Sequence, residues 1–409
     1  RKATWFTQVP VVLSRAAGSP AFDTEWSVSI SRAGDYLLNT WLRVTVPAIS
    51  ASGASGSALA QCRWTRNLMH NLIKEATITF NDLVAARFDN YHLDFWAAFT
   101  VPASKREGYD NMIGNNGLEL PKDKHEQTTL NLPLPFFFCR DSGVALPTAA
   151  LPYNDMRLNF SFRKMEDLVM WQLNPTAAAE AGTAAKITGM DGKLPLAHVW
   201  ANYAIVSNDE RKRMACAPRD ILIEQVQTAP RYSFAPATNG KPSFDIRFSH
   251  AIKALFFAVR NTTLGSEWSN YTDRVITTAD GKLVTSGFDP ILETSLVYEN
   301  TNRLTSMGSD YFSLVNPWYH APAIPTDKGY HMYSYSLDFF SLDPMGSTNY
   351  GKLTNVSIQP VATEVAVKLG NTLLQEGQNV FNQRYEFVVT AVNNNVVRIS
   401  GGALGFPVL

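Results

Sequence analysis

Hydrophobic and polar residues alternate in short runs along most of this chain. In "ATITF" (76–80) Ile78 and Phe80 fall on one face and Thr77 and Thr79 on the other, and "SFDIRF" (243–248) sets Phe244, Ile246 and Phe248 against Asp245 and Arg247. A period of two belongs to a strand with one buried face. Between such runs lie clusters of Pro, Gly, Asn and Ser, as in "DPMGSTNYG" (343–351), and long amphipathic helical patterns are scarce. The pattern predicts an all-β chain of many short strands in sandwiches or barrels. Short helices are predicted in "NLMHNLIKEA" (67–76), within 92–114, and in "SNDERKRMA" (207–215). In the last, Ser207 is placed to cap the N-terminus, with Asp209 and Glu210 in the first turn and Lys212 and Arg213 beyond, as the helix dipole favours. This charge run reads as a solvated connector at mid-chain.

The two sides of that connector repeat. "ISRAGDYLLNTWL" (30–42) lies over "FSHAIKALFFAVR" (248–260), aligning Ser31 with Ser249, Ala33 with Ala251 and Leu37 with Leu255 at an offset of 218 residues. Further on, "NFSF" (159–162) matches "NVSI" (355–358), each after a turn-rich segment that follows a paired-phenylalanine run, "FFFCRDSG" or "DFFSLDPMG". Two matches in the same order predict a duplicated β-domain. A length of 409 residues suits two cores. The expected division is 1–207 and 220–409, joined by 208–219. Three low-complexity stretches, 50–61, 175–185 and 364–379, are expected to be flexible surface loops.

Charge narrows the function. Lys plus Arg and Asp plus Glu are 36 each, so no cationic excess is available for a phosphate backbone. A chain that is 45% apolar and only 18% charged is poorly defended against self-association, which predicts deliberate assembly. Cys62, Cys139 and Cys216 show no C-x-x-C spacing, so neither a disulfide framework nor a thiolate zinc site is indicated and a reducing cytoplasm fits. No apolar run is long enough to span a bilayer. The chain begins at Arg1 rather than Met, so preceding sequence is expected.

Candidate chemistry is sparse. The seven histidines never adopt H-x-H or H-E-x-x-H spacing, and no metal site is predicted. "CRDSG" (139–143) lacks the G-x-S-x-G elbow and reads as a strand followed by an Asp-Ser-Gly turn. No phosphate-cradling glycine loop is present, so no catalytic residue and no cofactor is nominated. Asn-x-Ser/Thr sequons occur at Asn159, Asn261, Asn270 and Asn355, two of them inside predicted strands. The remaining features are apolar: "LPLPFFFCRDSGVALP" (132–147), "NPWYHAPAIP" (316–325) and "VRISGGALGFPVL" (397–409). They are read as core, as edge strands broken by proline, or as subunit interface, because interface cores favour Trp, Tyr and Phe. The candidate interface residues are Phe136, Phe137, Phe138, Trp318, Tyr319 and Phe406, and the terminal "GFPVL" is expected to dock.

Long blocks of this chain resemble a known family. "RWTRNLMHNLIKEATITFNDL" (63–83), "LPLPFFFCRDSGVALPTAALPYNDMRLNF" (132–160), "DILIEQVQTAP" (220–230), "RFSHAIKALFFAVRN" (247–261), "VYENTNRL" (297–304), "GSTNYGKLTN" (346–355) and "GALGFPVL" are similar to the major capsid proteins of nucleocytoplasmic large DNA viruses. The resemblance is greatest to iridoviruses, particularly the invertebrate iridescent viruses. It implies a double jelly roll: two eight-stranded antiparallel β-sandwiches in tandem, with short helices in connecting loops. It further implies a non-enzymatic structural protein of the virion, assembled in the host cytoplasm, whose homotrimers form pseudo-hexagonal capsomers of the outer shell. The implied partners are copies of itself and minor capsid proteins, with no direct nucleic acid contact and the internal viral membrane reached only indirectly. Two rivals are a minor capsid or penton protein of the same fold, and a carbohydrate-binding or carbohydrate-cleaving two-sandwich protein. The latter needs paired carboxylates or an aromatic sugar platform, for which Trp318 and Tyr319 are the sequence candidates.

Overall fold

Alternation along the chain becomes two packed β-sandwiches in the computed structural model, which describes residues 4–52, 60–174, 177–237, 240–275, 277–279, 282–284, 287–371 and 383–407. The first sandwich is built from β1 (Phe6–Val12), β2 (Ser14–Gly18), β3 (Glu25–Ser29), β4 (Tyr36–Val46), β5 (Ile73–Phe80), β6 (Leu83–Phe88), β7 (Thr128–Pro133), β8 (Met156–Phe162) and β9 (Leu196–Val206). One sheet has the order β1-β9-β4-β7 and the other β2-β3-β8-β5-β6, all antiparallel. The second sandwich uses β10 (Arg219–Thr228), β11 (Phe244–Asp245), β12 (Ala251–Asn261), β13 (Ile291–Tyr298), β14 (Thr301–Gly308), β15 (His331–Ser334), β16 (Val356–Ala362) and β17 (Tyr385–Ser400). Its main sheets run β10-β17-β12-β15 and β11-β16-β13-β14.

Leaving out β2, the two sandwiches have the same strand order in both sheets: β1, β3, β4, β5, β6, β7, β8 and β9 correspond in turn to β10 through β17. This is a double jelly roll, in which the first unit carries a ninth strand, β2, where eight were expected. The repeat also corrects the register read from sequence. Tyr36–Val46 and Ala251–Asn261 lie 215 residues apart at both ends, and each pairs with a ladder irregularity at the equivalent place, between Asn39 and Leu37 in β4 and between Ile252 and Ala254 in β12. Leu37 therefore corresponds to Ile252 rather than to Leu255. A bulge reverses which face the next residue takes, so the shared bulge fixes the register that residue similarity placed three positions away.

The helices form at three expected places with altered limits. The expected helix 67–76 stops at Leu72: α1 is Leu68–Leu72, and Ile73 already begins β5. Lys74, Glu75 and Ala76 suit a helix, but Ala76 is paired with Phe160 and Ile78 with Leu158, and ladder pairing in a buried sheet overrides local propensity. The stretch 92–114 is two helices, α2 (Asn90–Thr100) and α3 (Ala103–Ile113), separated at Pro102, which cannot donate to a continuing helix. Asp89 caps α2 by accepting from His92 N at 3.0 Å. The connector helix α4 is Asn208–Cys216; Ser207 sits at its N-cap without a side-chain cap bond. It is less solvated than predicted, since Arg211 holds Asp35 (Nε–Oδ1 2.7 Å) and Met214 is buried. Of the low-complexity stretches, 53–59, 175–176 and 372–379 lie outside the described residues, whereas Glu364–Asn371 is a helix rather than a loop.

Candidate functional site

An aromatic contact and two buried polar clusters lie where the sandwiches meet. In β12, Ile252, Leu255, Phe257 and Val259 point into the core of the second sandwich, while Ala254, Phe256 and Ala258 point out of it and into the core of the first. Helix α2 covers that outward face. Phe95 and Phe99, one turn apart, stack on Phe256 with centroid distances of 5.9 and 5.6 Å. Aromatic pairs in offset geometry add to the area they bury.

Beside this apolar contact, Asp94 acts as a polar pin. Its Oδ1 faces His70 Nδ1 at 2.8 Å and accepts from Asn67 Nδ2 at 3.2 Å, and its Oδ2 accepts from the hydroxyls of Ser269 and Tyr271 at 2.8 Å each. His70 Nε2 meets the Tyr109 hydroxyl at 2.5 Å. A carboxylate, an imidazole and a phenol in line could relay a proton, but the adjoining cavity is only about 40 Å³, far below a substrate site. Both oxygens of Asp94 are committed, Oδ1 to its own unit and Oδ2 across the junction to Ser269 and Tyr271. Burial, and then the Asp94 charge, hold the Tyr271 hydroxyl well above the usual phenol range, so it stays a donor.

A second pin is ionic. Arg140, from "CRDSG", donates to Glu224 on β10 and to the Phe340 carbonyl, while Lys253, which is 0% exposed, donates to the other Glu224 oxygen and to Ser341 O at 2.7 Å. The Arg140 guanidinium also lies over the rings of Trp96 and Phe340, at 4.8 and 4.5 Å from their centroids. "CRDSG" is thus a pair of 3₁₀ turns, Phe137–Cys139 and Ser142–Val144, rather than a strand and turn.

His92 on α2 supplies an acid-sensitive element. It lies between Phe88 and Trp96, its Nδ1 has no hydrogen-bond partner, and burial pushes its imidazole down from about 6.5 to about 3. Below about pH 6.5 the unfolded chain binds a proton that the folded chain refuses. This contribution is therefore complete above 6.5 and lost towards 3, at about 1.4 kcal/mol per pH unit. Urea unfolding at pH 7 and pH 5 should show H92F losing about 2 kcal/mol less than the parent between the two; equal losses would exclude His92 as a source of acid lability.

Two larger clefts are open to solvent. One of about 610 Å³ runs between β6 and β10, where Gln225 Nε2 donates to Ala85 O at 3.0 Å; its carboxylates are spoken for, Glu75 by Arg87 and Asp89 by the α2 cap. The other, about 1150 Å³, is lined by Trp41, Arg43, Trp96, Lys105, Met112 and Phe340 among others, with no Asp or Glu. Paired carboxylates for glycoside cleavage are absent from it.

Exposed apolar residues concentrate instead on the second sandwich. Leu314 (52% exposed), Val315, Trp318 and Tyr319 (72% each) occupy one helical segment, and Leu337, whose amide donates to Met345 O, adjoins it through His320 Nδ1···Leu337 O at 2.8 Å. The edge strand β1 and the residue before it expose Phe6 and Trp5. Of the residues nominated from sequence, Phe136, Phe137 and Phe138 are 1, 5 and 0% exposed. They stack on one another and on Phe88 inside their own chain, so they have no surface to offer a neighbour. Trp318 and Tyr319 do, from a helix rather than a broken edge strand. Phe406 is half-buried against the first core, after Ala403–Gly405 pairs with β17. Sequence reading missed Leu314 and Val315, although their i, i+4 spacing to Trp318 and Tyr319 was visible, and it missed Glu224 and Lys253, whose meeting depends on tertiary structure.

Comparison with known proteins places these features in one family. Residues 210–405 match the family described as large eukaryotic DNA virus major capsid protein, and residues 1–206 match the major capsid protein N-terminus. The major capsid protein of Costelytra zealandica iridescent virus is 61% identical, with 100% of this chain and 92% of that protein covered. That of Tipula iridescent virus is 62% identical, covering 98% and 89%. The solved PBCV-1 virus capsid shares the fold with a TM-score of 0.77 at 20% identity, covering 100% of this chain and 98% of its own.

Proposed function

The chain belongs to the major capsid protein family of large eukaryotic DNA viruses, and from that premise we propose that it builds the outer shell as a homotrimeric capsomer. It is a structural protein of the virion capsid, not an enzyme. The duplicated sandwich carries the proposal: with the units 1–207 and 220–409 alike in strand order, three chains present six similar sides, so one trimer can occupy a hexagonal position in a shell. Cyclic closure stops growth at three and leaves the outer sides for neighbouring trimers. A chain with no net charge and a cluster of exposed aromatics suits that role. Minor capsid proteins would bind the outer sides, assembly would take place in the host cytoplasm, and any relation to an internal membrane would be indirect.

Light scattering behind a sizing column tests this. The expected mass is three times the 45.3 kDa of one chain and persists on dilution. A stable monomer overturns the capsomer reading, and a pentamer replaces it with a vertex role in the same shell.

A further inference from the structure

We infer that the contact between neighbouring chains copies the contact already present between the two sandwiches of one chain, with Leu314, Val315, Trp318 and Tyr319 of one copy seated on Trp41 and Trp200 of the next. This rests on the capsomer reading and adds to it the surfaces and their order.

The register shared by β4 and β12 places Trp41 at the position of Phe256 and Arg43 at that of Ala258. The ladders of β9 and β17 place Trp200 where Thr390 stands, opposite Trp41 and Phe256 respectively. In the second sandwich this outward face lies under α2. In the first sandwich no described element covers it to the same extent: Asn39, Arg43 and His198 are exposed, and Trp41 and Trp200, both half-buried, stack on each other at 6.2 Å and 9°, with Trp41 facing the open cleft it shares with Trp96 and Phe340. Two stacked indoles held outward on a sheet suit an interface core, where Trp is enriched.

The covering element is duplicated as well. Helix α2 starts two residues after β6 ends, and a helical stretch, 309–320, starts directly after β14, the counterpart of β6. Counted from the first helical residue, Phe95 and Phe99 correspond to Leu314 and Trp318. In α2 these positions are buried on Phe256, whereas in 309–320 they are 52% and 72% exposed. The socket of the second sandwich is filled by the plug of the first; across the repeat, the chain has an unfilled socket on the first sandwich and a free plug on the second. A plug and socket at opposite ends of one chain make a head-to-tail contact. The edges agree with this: β10 lies along β6 within the chain, and their counterparts, β1 and β14, are mostly exposed strands that would meet between chains. The ionic pin does not repeat, because β4 and 337–345 offer no counterparts to Lys253 and Arg140: Lys253 corresponds to Leu38, and the loop carries only Asp338 and Asp343 as charges. The internal contact is locked by charge, and its copy relies on aromatic packing.

The test uses the full chain with the exposed Cys216 replaced, C216S, and carrying W41C and W318C together, treated with a short bis-maleimide. Covalent trimers on a denaturing gel, and only dimers when W41C and W318C chains are mixed as single variants, are the expected result. A trimer by light scattering that yields no such cross-link overturns this docking while leaving the capsomer intact. Absence of any trimer in the parent chain overturns both. Independently, W318A should keep the urea midpoint of the dissociated chain and weaken each of the three contacts in the trimer on the order of 30-fold, the effect of losing one aromatic hot spot per contact; unchanged association would overturn the assignment.

Discussion

Replacing Glu224 with alanine is expected to destabilise the folded chain by about 3–5 kcal/mol, the loss typical when one member of a buried ion cluster is removed. Lys253 is wholly buried and Arg140 nearly so, and both direct their charge at the two oxygens of Glu224. Without that carboxylate two cations would remain together, away from water, with only the Ser341 and Phe340 carbonyls as acceptors. Desolvation already pulls the Arg140 guanidinium below its usual range, and the Glu224 charge opposes that pull. Urea unfolding of E224A measures the loss, and a change below about 1 kcal/mol would mean that water reaches the cluster. The companion variant R140M/E224L/K253M removes all three charges at once. It is expected to fall within about 1 kcal/mol of the parent or above it, because well-packed apolar groups replace a buried ion cluster at little cost. The pair of results would separate the worth of the cluster from the cost of breaking it.

How much of this was legible beforehand follows from the range over which each signal acts. Alternation in "ATITF" placed Ile78 and Phe80 inside because strand periodicity is local, and both are buried. The same reading extended a helix through Lys74 to Ala76, where the deciding partner, β8, lies more than eighty residues away. The duplication was detectable in sequence, but its register was not, since a β-bulge leaves no residue signature that similarity can align. Phe136 to Phe138 were nominated for an interface on aromatic content alone, which cannot tell a core from a surface. Trp318 and Tyr319 had the same content and the opposite fate, and the difference lies in whether the chain itself supplies a Phe256 beneath the helix.

That difference makes a paired prediction. Phe99→Ala is expected to cost about 3–5 kcal/mol of folding stability, the range for deleting a fully buried aromatic ring. The ring is 0% exposed, it fills the space above Phe256, and its backbone carbonyl accepts from Ala323 N at 3.2 Å, so neighbouring segments are held in place and cannot collapse into the void. A cavity that cannot close carries the full penalty. Trp318→Ala truncates the corresponding position of the second unit, yet removes a ring that water already surrounds, so folding stability should change by no more than about 0.5 kcal/mol. The two variants, unfolded in urea side by side as dissociated chains and sized by light scattering at higher concentration, should therefore divide cleanly: F99A lowers the midpoint, and W318A leaves it in place while loosening the trimer. If F99A loses less than about 1 kcal/mol, the junction between the sandwiches is not a rigid contact. The template on which the neighbouring chain is proposed to dock would then lose its basis, because a plug that matters little within the chain gives no reason to expect its counterpart to hold chains together.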